Sequence, residues 1–167
     1  TLLYAFQEKG VKCLEELNGM FSFLIFDAKE KKLFIVRDRA GIKPLYWCLN
    51  EKFFICSSEI KPFFKAGIKK EINKKILSDY LNWGVVDHTD ETFFLNIKSI
   101  KPGYFATFNL KDFSFISKRY WKIENTTKKT RDRKRSEVKF CELLKDSISL
   151  QSTADVKVGT TKWEALF

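Results

Sequence analysis

The sequence predicts an α+β fold in which antiparallel strands form a layered sandwich with helices beside it. Hydrophobic residues make up 44% of the 167 residues and include 17 Phe, which is enough apolar surface for a core. Aromatic and β-branched runs separated by short polar turns fill the first third of the chain, and runs with helical spacing lie before and after them.

Two helices are predicted before the first strand. Leu2, Leu3 and Phe6 lie on one helical face, and Gly10 is suited to end that helix. A second, shorter helix is predicted over CLEELN, residues 13–18.

Four strands are predicted next, as two hairpins. Residues 20–28 and 32–38 are joined by a polar turn, and LYWCL and FFICSS form a second pair. The first two strands are almost continuously hydrophobic, which is typical of strands that are covered on both faces.

The rest of the chain alternates between helices and strands. A short helix is predicted within 59–67, and Asn73 can cap a helix over KKILSDYLNW. The segments IKSIKPGYFATFNL and FSFISKRYW form another antiparallel pair, with a turn at Pro102 and Gly103. A last helix is predicted from apolar residues at helical spacing, namely Val138, Cys141, Leu144 and Ile148.

Composition excludes several classes of protein. No apolar run is long enough to span a membrane, and no secretory signal is recognisable, so we expect a cytoplasmic protein. The four cysteines form no CxxC pair, and the single histidine, His88, lies in a polar loop. We therefore expect no metal site and no disulfide, and we expect Cys48 and Cys56 to be buried and His88 to lie at the surface.

The net charge of +10 raises the alternative of nucleic-acid binding. Six basic residues and one acid fall within 126–135, but no aromatic residue that could stack on a base lies among them. A solvated linker is favoured, and nucleic acid is not an expected partner.

The stretch RDRAGIKPLY, residues 37–46, is the main candidate for a site. Gly41 permits a turn, Pro44 fixes the backbone that enters the next strand, and Asp38 lies between two arginines that could balance its charge. A charge-balanced structural turn is favoured over a binding site for an anionic group, and both interpretations stay open. Thr1 could act as an N-terminal nucleophile, but its predicted place in a helix disfavours this.

Five blocks in order carry a resemblance to a known family: residues 17–27 (LNGMFSFLIFD), 37–47 (RDRAGIKPLYW), 57–64 (SSEIKPFF), 92–103 (TFFLNIKSIKPG) and 119–121 (RYW). Together they resemble the class II glutamine amidotransferase domain of glutamine-hydrolysing asparagine synthetases. Residues 143–159 resemble the first helix and strand of the ATP-dependent synthetase domain that follows it in this family.

The resemblance implies an N-terminal-nucleophile αββα sandwich of two antiparallel sheets, incomplete here, followed by the start of an α/β synthetase domain. It assigns residues 1–122 to the partial amidotransferase domain, 123–136 to a basic linker and 137–167 to the start of the synthetase domain. Enzymes of this family hydrolyse glutamine to ammonia, activate aspartate with ATP and form asparagine. The implied partners are glutamine, aspartate and ATP, and a homodimer or pairing with a synthetase domain is a further possibility.

The chain also departs from the family pattern. The family's nucleophile is an N-terminal cysteine, whereas the first residue here is Thr1, and TTKWEALF stands where a Ser-Gly-Gly-x-Asp-Ser loop binds ATP. We therefore expect a chain truncated at both ends that is inactive alone, retains no catalytic, substrate-binding or metal residue, and binds no cofactor, although the parent enzyme uses ATP and Mg²⁺. The resemblance makes eight residues structural or interdomain: Arg37, Asp38, Arg39, Gly41, Lys43, Pro44, Ser58 and Glu59.

The sequence is also compatible with two alternatives to an asparagine synthetase fragment. One is part of a sister amidotransferase that acts on a cell-surface sugar, since acceptor choice belongs to the second domain. The other is a non-catalytic remnant that binds a full-length partner.

Overall fold

The computed structural model describes residues 1–50, 53–123, 132–152 and 159, and the chain divides into two compact units, Thr1–Ile123 and Glu124–Phe167. The helices of the first unit are α1 (Leu2–Lys9), a 3₁₀ helix (Gly10–Glu15), α2 (Lys61–Lys65) and α3 (Lys74–Trp83). Its strands are β1 (Ser22–Asp27), β2 (Lys32–Arg37), β3 (Tyr46–Leu49), β4 (Phe54–Ser57), β5 (Lys98–Ser99), β6 (Tyr104–Asn109) and β7 (Phe115–Arg119).

The strands form two antiparallel sheets. The larger sheet has the order β1-β2-β6-β7, and the smaller has the order β4-β3-β5. In the larger sheet Leu24 lies opposite Ile35, which lies opposite Ala106 on the other side. β6 therefore pairs with a strand about 70 residues earlier in the chain, and this contact, unlike a hairpin, is not local.

Alternation of side chains along each strand builds three apolar clusters. In β2, Ile35 enters a cluster between the two sheets, whereas Val36 packs with Cys13 and Leu14 of the 3₁₀ helix. In β3, Trp47 faces the cluster between the sheets, and Cys48 packs with Phe63 of α2 on the opposite face. Each sheet is therefore covered by the other sheet on one face and by helical residues on the other.

The two hairpins and both predicted helix ends are confirmed. β1 pairs with β2, and β3 pairs with β4. α1 ends at Gly10, and the Asn73 side chain accepts hydrogen bonds from the backbone N–H groups of Lys75 and Ile76, at 3.2 and 3.4 Å. The second helix, in contrast, is of the 3₁₀ type and begins three residues earlier than predicted.

The prediction that the first two strands are covered on both faces is wrong for β1. Leu24 and Phe26 are 42% and 52% exposed, although they lie on the same face as Ile35. The smaller sheet has strands of only four, four and two residues, so it covers the centre of the larger sheet and not this edge.

The second unit contributes one described helix, α4 (Arg133–Gln151), whose first turn is capped by the Asp132 side chain. It begins inside the segment predicted as a linker, because Asp132 supplies the capping carboxylate. The remaining basic residues of that segment, the predicted strand after residue 152 and the final TTKWEALF lie outside the described residues. No helix in the described part is long and apolar enough to cross a membrane.

Candidate functional site

The turn after β2 is built around the carboxylate of Asp38, which is 1% exposed. One oxygen accepts from the backbone N–H groups of Ala40 and Ile42 at 3.1 and 3.0 Å, and the other accepts from that of Lys43 at 2.9 Å. These donors converge because the backbone of residues 40–43 curls around the carboxylate. In the described residues no ion pair involves Asp38, so backbone N–H groups rather than the flanking arginines contact its carboxylate.

The Arg37 side chain also forms its hydrogen bonds with the backbone. Its guanidinium donates to the carbonyls of Lys43 at 2.9 Å, Ile100 at 2.7 Å and Gly41 at 2.7 Å, through Nε, Nη1 and Nη2 respectively. The planar fork of arginine suits this arrangement, which ties both ends of the turn to the segment that precedes β6. Each guanidinium nitrogen therefore donates to a backbone carbonyl.

Gly41 is required for both its conformation and its size. Its φ of +69° is rarely adopted by residues with a side chain, and a Cβ there would lie 2.6 Å from Cγ of Pro102. Pro44, next along the turn, is exposed and leads into Leu45, which is buried between the sheets.

Arg39 points to a different element. Its Nη2 donates to the carbonyl of Glu15, at the end of the 3₁₀ helix, at 2.7 Å. Its Nε is buried without a hydrogen-bond partner in the described part of the chain. Arg39 thus links the turn to the helical layer rather than to Asp38.

The other predicted site residues lie at the surface. The Lys43 side chain is exposed, and Ser58 and Glu59 form an exposed bend between β4 and α2. The hydroxyl that supports this bend belongs to Ser57, which accepts from the N–H of Glu59 at 3.2 Å. Within the described residues no hydrogen bond joins this bend to the turn at 38–44, so the structure brings only the residues of that turn together.

Sequence reasoning missed the contribution of Gly103 and Tyr120. The N–H of Gly103 donates to the carbonyl of Asp38 at 2.9 Å, and the Tyr120 hydroxyl donates to the carbonyl of Arg37 at 2.9 Å. Both residues belong to the blocks IKPG and RYW, but 83 residues separate Tyr120 from Arg37. A contact at that distance leaves no periodic signal in a single sequence.

The cysteines of the first unit are not activated. Burial raises the pKa of the Cys13 and Cys48 thiols, and it raises the pKa of Cys56 to about 12. A thiol becomes a good nucleophile when its pKa is lowered, so these shifts have the wrong direction for catalysis. Cys141 is exposed on α4.

Thr1 and His88 show no catalytic geometry either. Thr1 is the N-cap residue of α1, and its side chain makes no capping hydrogen bond. The exposed ring of His88 lies 3.0 Å from the carboxylate of Asp79, without a serine or cysteine in that pair. Within the described residues no group of His, Cys, Asp and Glu could hold a metal ion.

A family model described as the glutamine amidotransferase domain matches residues 1–121. The chain belongs to this family. The match contains both sheets and all of the turn around Asp38, and it ends one residue after Tyr120.

Curated relatives of this amidotransferase domain are similar over nearly the whole chain. Asparagine synthetase [glutamine-hydrolyzing] 2 of Bacillus subtilis is 32% identical over 95% of the chain, and asparagine synthetase [glutamine-hydrolyzing] 3 of the same organism is 31% identical over 96%. Amidase chry2 of Gibberella zeae is 29% identical over 92%. The chain spans only about a quarter of the length of these relatives, at 23%, 26% and 23%.

Proposed function

We propose that the chain is part of an enzyme that hydrolyses glutamine and uses the released ammonia to amidate aspartate with ATP. The observation that supports this most is the similarity to glutamine-hydrolysing asparagine synthetases, which runs past the amidotransferase match at residue 121 and over 95% of the chain. Residues 1–122 would serve as the glutamine-hydrolysing part, 123–136 as a basic linker and 137–167 as the start of an ATP-dependent synthetase domain.

The fold proposed for residues 1–122 is the N-terminal-nucleophile αββα sandwich. The packing of the 3₁₀ helix on one outer face and α2 on the other supports that layer order. The exposed edge of β1, where Leu24 and Phe26 lie, is where an additional strand would extend the larger sheet.

In the proposed reaction, a cysteine thiol of the parent enzyme attacks the side-chain amide of glutamine, which forms a thioester and expels ammonia, and water then hydrolyses the thioester to glutamate. ATP transfers AMP to the side-chain carboxylate of aspartate with release of pyrophosphate, and ammonia displaces AMP to give asparagine. The described residues offer no metal cluster, and the sequence contains no Gly-rich phosphate loop, so no residue of this chain is assigned to ATP or Mg²⁺.

The role proposed for the turn around Asp38 is structural and interdomain. The polar groups of Arg37 and Asp38 bind the backbone of the turn, and Gly41 leaves no room for a side chain there. These contacts support a structural role rather than a substrate site. The exposed side chains of Lys43, Ser58 and Glu59, and the exposed Pro44, are available to a neighbouring domain or subunit.

We further propose that the chain alone hydrolyses no glutamine. Burial raises the pKa of each thiol in the first unit, so none of these cysteines is suited to attack an amide. Glutamate release from glutamine by the purified chain should equal the rate in buffer. Activity that disappears on Thr1→Ala or Cys141→Ser would contradict this.

The function itself can be tested by a graft. Residues 1–121 replace the aligned segment of the Bacillus subtilis synthetase 2, and asparagine formation is measured with glutamine and, separately, with ammonium chloride. We expect both nitrogen sources to support synthesis. Synthesis with ammonium but not with glutamine would contradict the proposal. It would show that the synthetase domain is folded and active but that residues 1–121 do not supply ammonia from glutamine.

A second candidate is a sister amidotransferase that acts on a cell-surface sugar. The chain is also similar to a relative with a different name, amidase chry2, which supports an amidotransferase part that is shared by enzymes with different acceptors. Assays of the natural protein that carries this sequence, with aspartate and with sugar acceptors, would separate the two.

A further inference from the structure

The last residues of the first unit lie beyond β7, yet two of them are still hydrogen-bonded through their backbone. The N–H groups of Tyr120 and Trp121 both donate to the carbonyl of Gly103, at 2.9 and 3.2 Å. β7 ends at Arg119, and the first unit ends at Ile123. The segment that leaves the unit is therefore bound at two consecutive residues after the sheet has ended.

Gly103 connects that segment to the turn at residues 38–44. Its own N–H donates to the carbonyl of Asp38 at 2.9 Å while its carbonyl accepts from Tyr120 and Trp121. Its φ is +70°, and a Cβ would lie 2.8 Å from the carbonyl oxygen of Trp121. Only glycine allows the exit segment to approach this closely without displacing it.

Tyr120 adds a side-chain contact to the same turn. Its hydroxyl donates to the carbonyl of Arg37 at 2.9 Å, and its ring packs against the cluster of Cys13, Leu14 and Val36. Burial and the nearby charge of Asp38 raise the pKa of Tyr120 to about 12, so the phenol keeps the proton that it donates throughout the physiological range.

We infer that Tyr120, Trp121 and Gly103 form an exit anchor, which fixes the point and direction in which the chain leaves the first unit by binding it to the turn of Arg37 and Asp38. Tyr120 is a positioning residue in this anchor, since its phenol reaches the turn directly. The inference rests on contacts within the first unit and does not depend on the proposed function.

The anchor can be tested by amide hydrogen exchange, followed by NMR, on the full 167-residue chain. In the unchanged protein, the amides of Tyr120 and Trp121 should be protected to the same degree as those of β6. Exchange of these two amides at the rate of an unfolded peptide would overturn the proposal, and this readout needs no variant.

Tyr120→Phe removes the hydroxyl and keeps the ring. We expect exchange at residues 120 and 121 to rise about fivefold, the effect of one lost hydrogen bond, while exchange in β2 and β6 stays unchanged. The matched control is Tyr104→Phe, since the Tyr104 hydroxyl makes no hydrogen bond in the described part of the chain. An equal rise at all amides, or none at residues 120 and 121, would contradict the anchor.

Discussion

At the scale of single residues, the turn after β2 depends on hydrogen bonds between two charged side chains and the backbone. The Asp38 carboxylate accepts from three backbone N–H groups, and the Arg37 guanidinium donates to three backbone carbonyls. Such charge-assisted hydrogen bonds are stronger than neutral ones and costly to leave incomplete when buried.

Replacing Asp38 tests that view. In Asp38→Asn an amide NH₂ takes the place of one carboxylate oxygen, so a buried backbone N–H faces a donor. We expect a loss of about 2–3 kcal/mol in the free energy of unfolding, measured by urea denaturation. Asp112→Asn is the control, because Asp112 accepts from the N–H of Ser114 in an exposed turn. Equal losses in both variants would argue against a special role for Asp38.

Gly41 offers a matched pair with Gly84. Both have a left-handed φ, +69° and +67°, but a Cβ on Gly84 meets nothing within 4 Å, whereas one on Gly41 meets Pro102 at 2.6 Å. Substitution by Ala should therefore lower the free energy of unfolding by about 1 kcal/mol at Gly84 and by clearly more at Gly41. Thermal unfolding of the two variants measures the difference, and equal melting temperatures would remove the steric argument.

The phenol of Tyr120 makes stability depend on pH in the alkaline range. Burial of the phenol, and secondarily the charge of Asp38, raise the pKa of Tyr120 from 10.0 to about 12 on folding, while Arg39 opposes the rise. The contribution of Tyr120 to stability is therefore complete below pH 10 and is lost between pH 10 and 12. The stability difference between the unchanged protein and Tyr120→Phe should shrink across that range. A difference that stays constant from pH 9 to 12 would contradict the assignment.

At the scale of elements, local signals in the sequence identified the hairpins and the helix ends. Asn73 and Gly10 act within a few residues of their own position, so the sequence alone predicts them. The pairing of β2 with β6, the exposure of β1 and the bond between Arg37 and Ile100 all join distant segments. These three features follow from how the two sheets stack, and the stacking cannot be predicted from a local sequence pattern.

The exposed edge of β1 predicts self-association. Phe26 is 52% exposed on β1, an edge strand of the larger sheet. Phe26→Lys places a charge there and should lower the fraction of oligomer in sedimentation velocity experiments. Ser78→Lys on α3 is the control, since it adds the same charge at an exposed position away from both edges of the sheet without removing apolar surface. A similar decrease in both variants would point to net charge rather than to this edge.

At the scale of the whole molecule, the first unit is a domain of the glutamine amidotransferase family. The resemblance of the sequence identified this family, and the match over residues 1–121 confirms it. The roles assigned to Arg37 and its neighbours remain predictions, because a hydrogen-bonded turn is compatible with any function that needs a rigid support. The strand-like segment around Cys48 predicts that this cysteine is buried, as the structure shows. The burial of Cys13 depends on how the 3₁₀ helix packs on β2, and composition carries no sign of that contact.

The central claim, that residues 1–121 serve as the nitrogen-supplying part of a synthetase, is tested most directly by isotope transfer. The grafted synthetase receives glutamine labelled with ¹⁵N in its amide group, together with an excess of unlabelled ammonium, and the ¹⁵N content of the asparagine formed is measured by mass spectrometry. We predict a ¹⁵N fraction in asparagine well above that of the ammonium in solution. A fraction equal to that of the solution would contradict the claim.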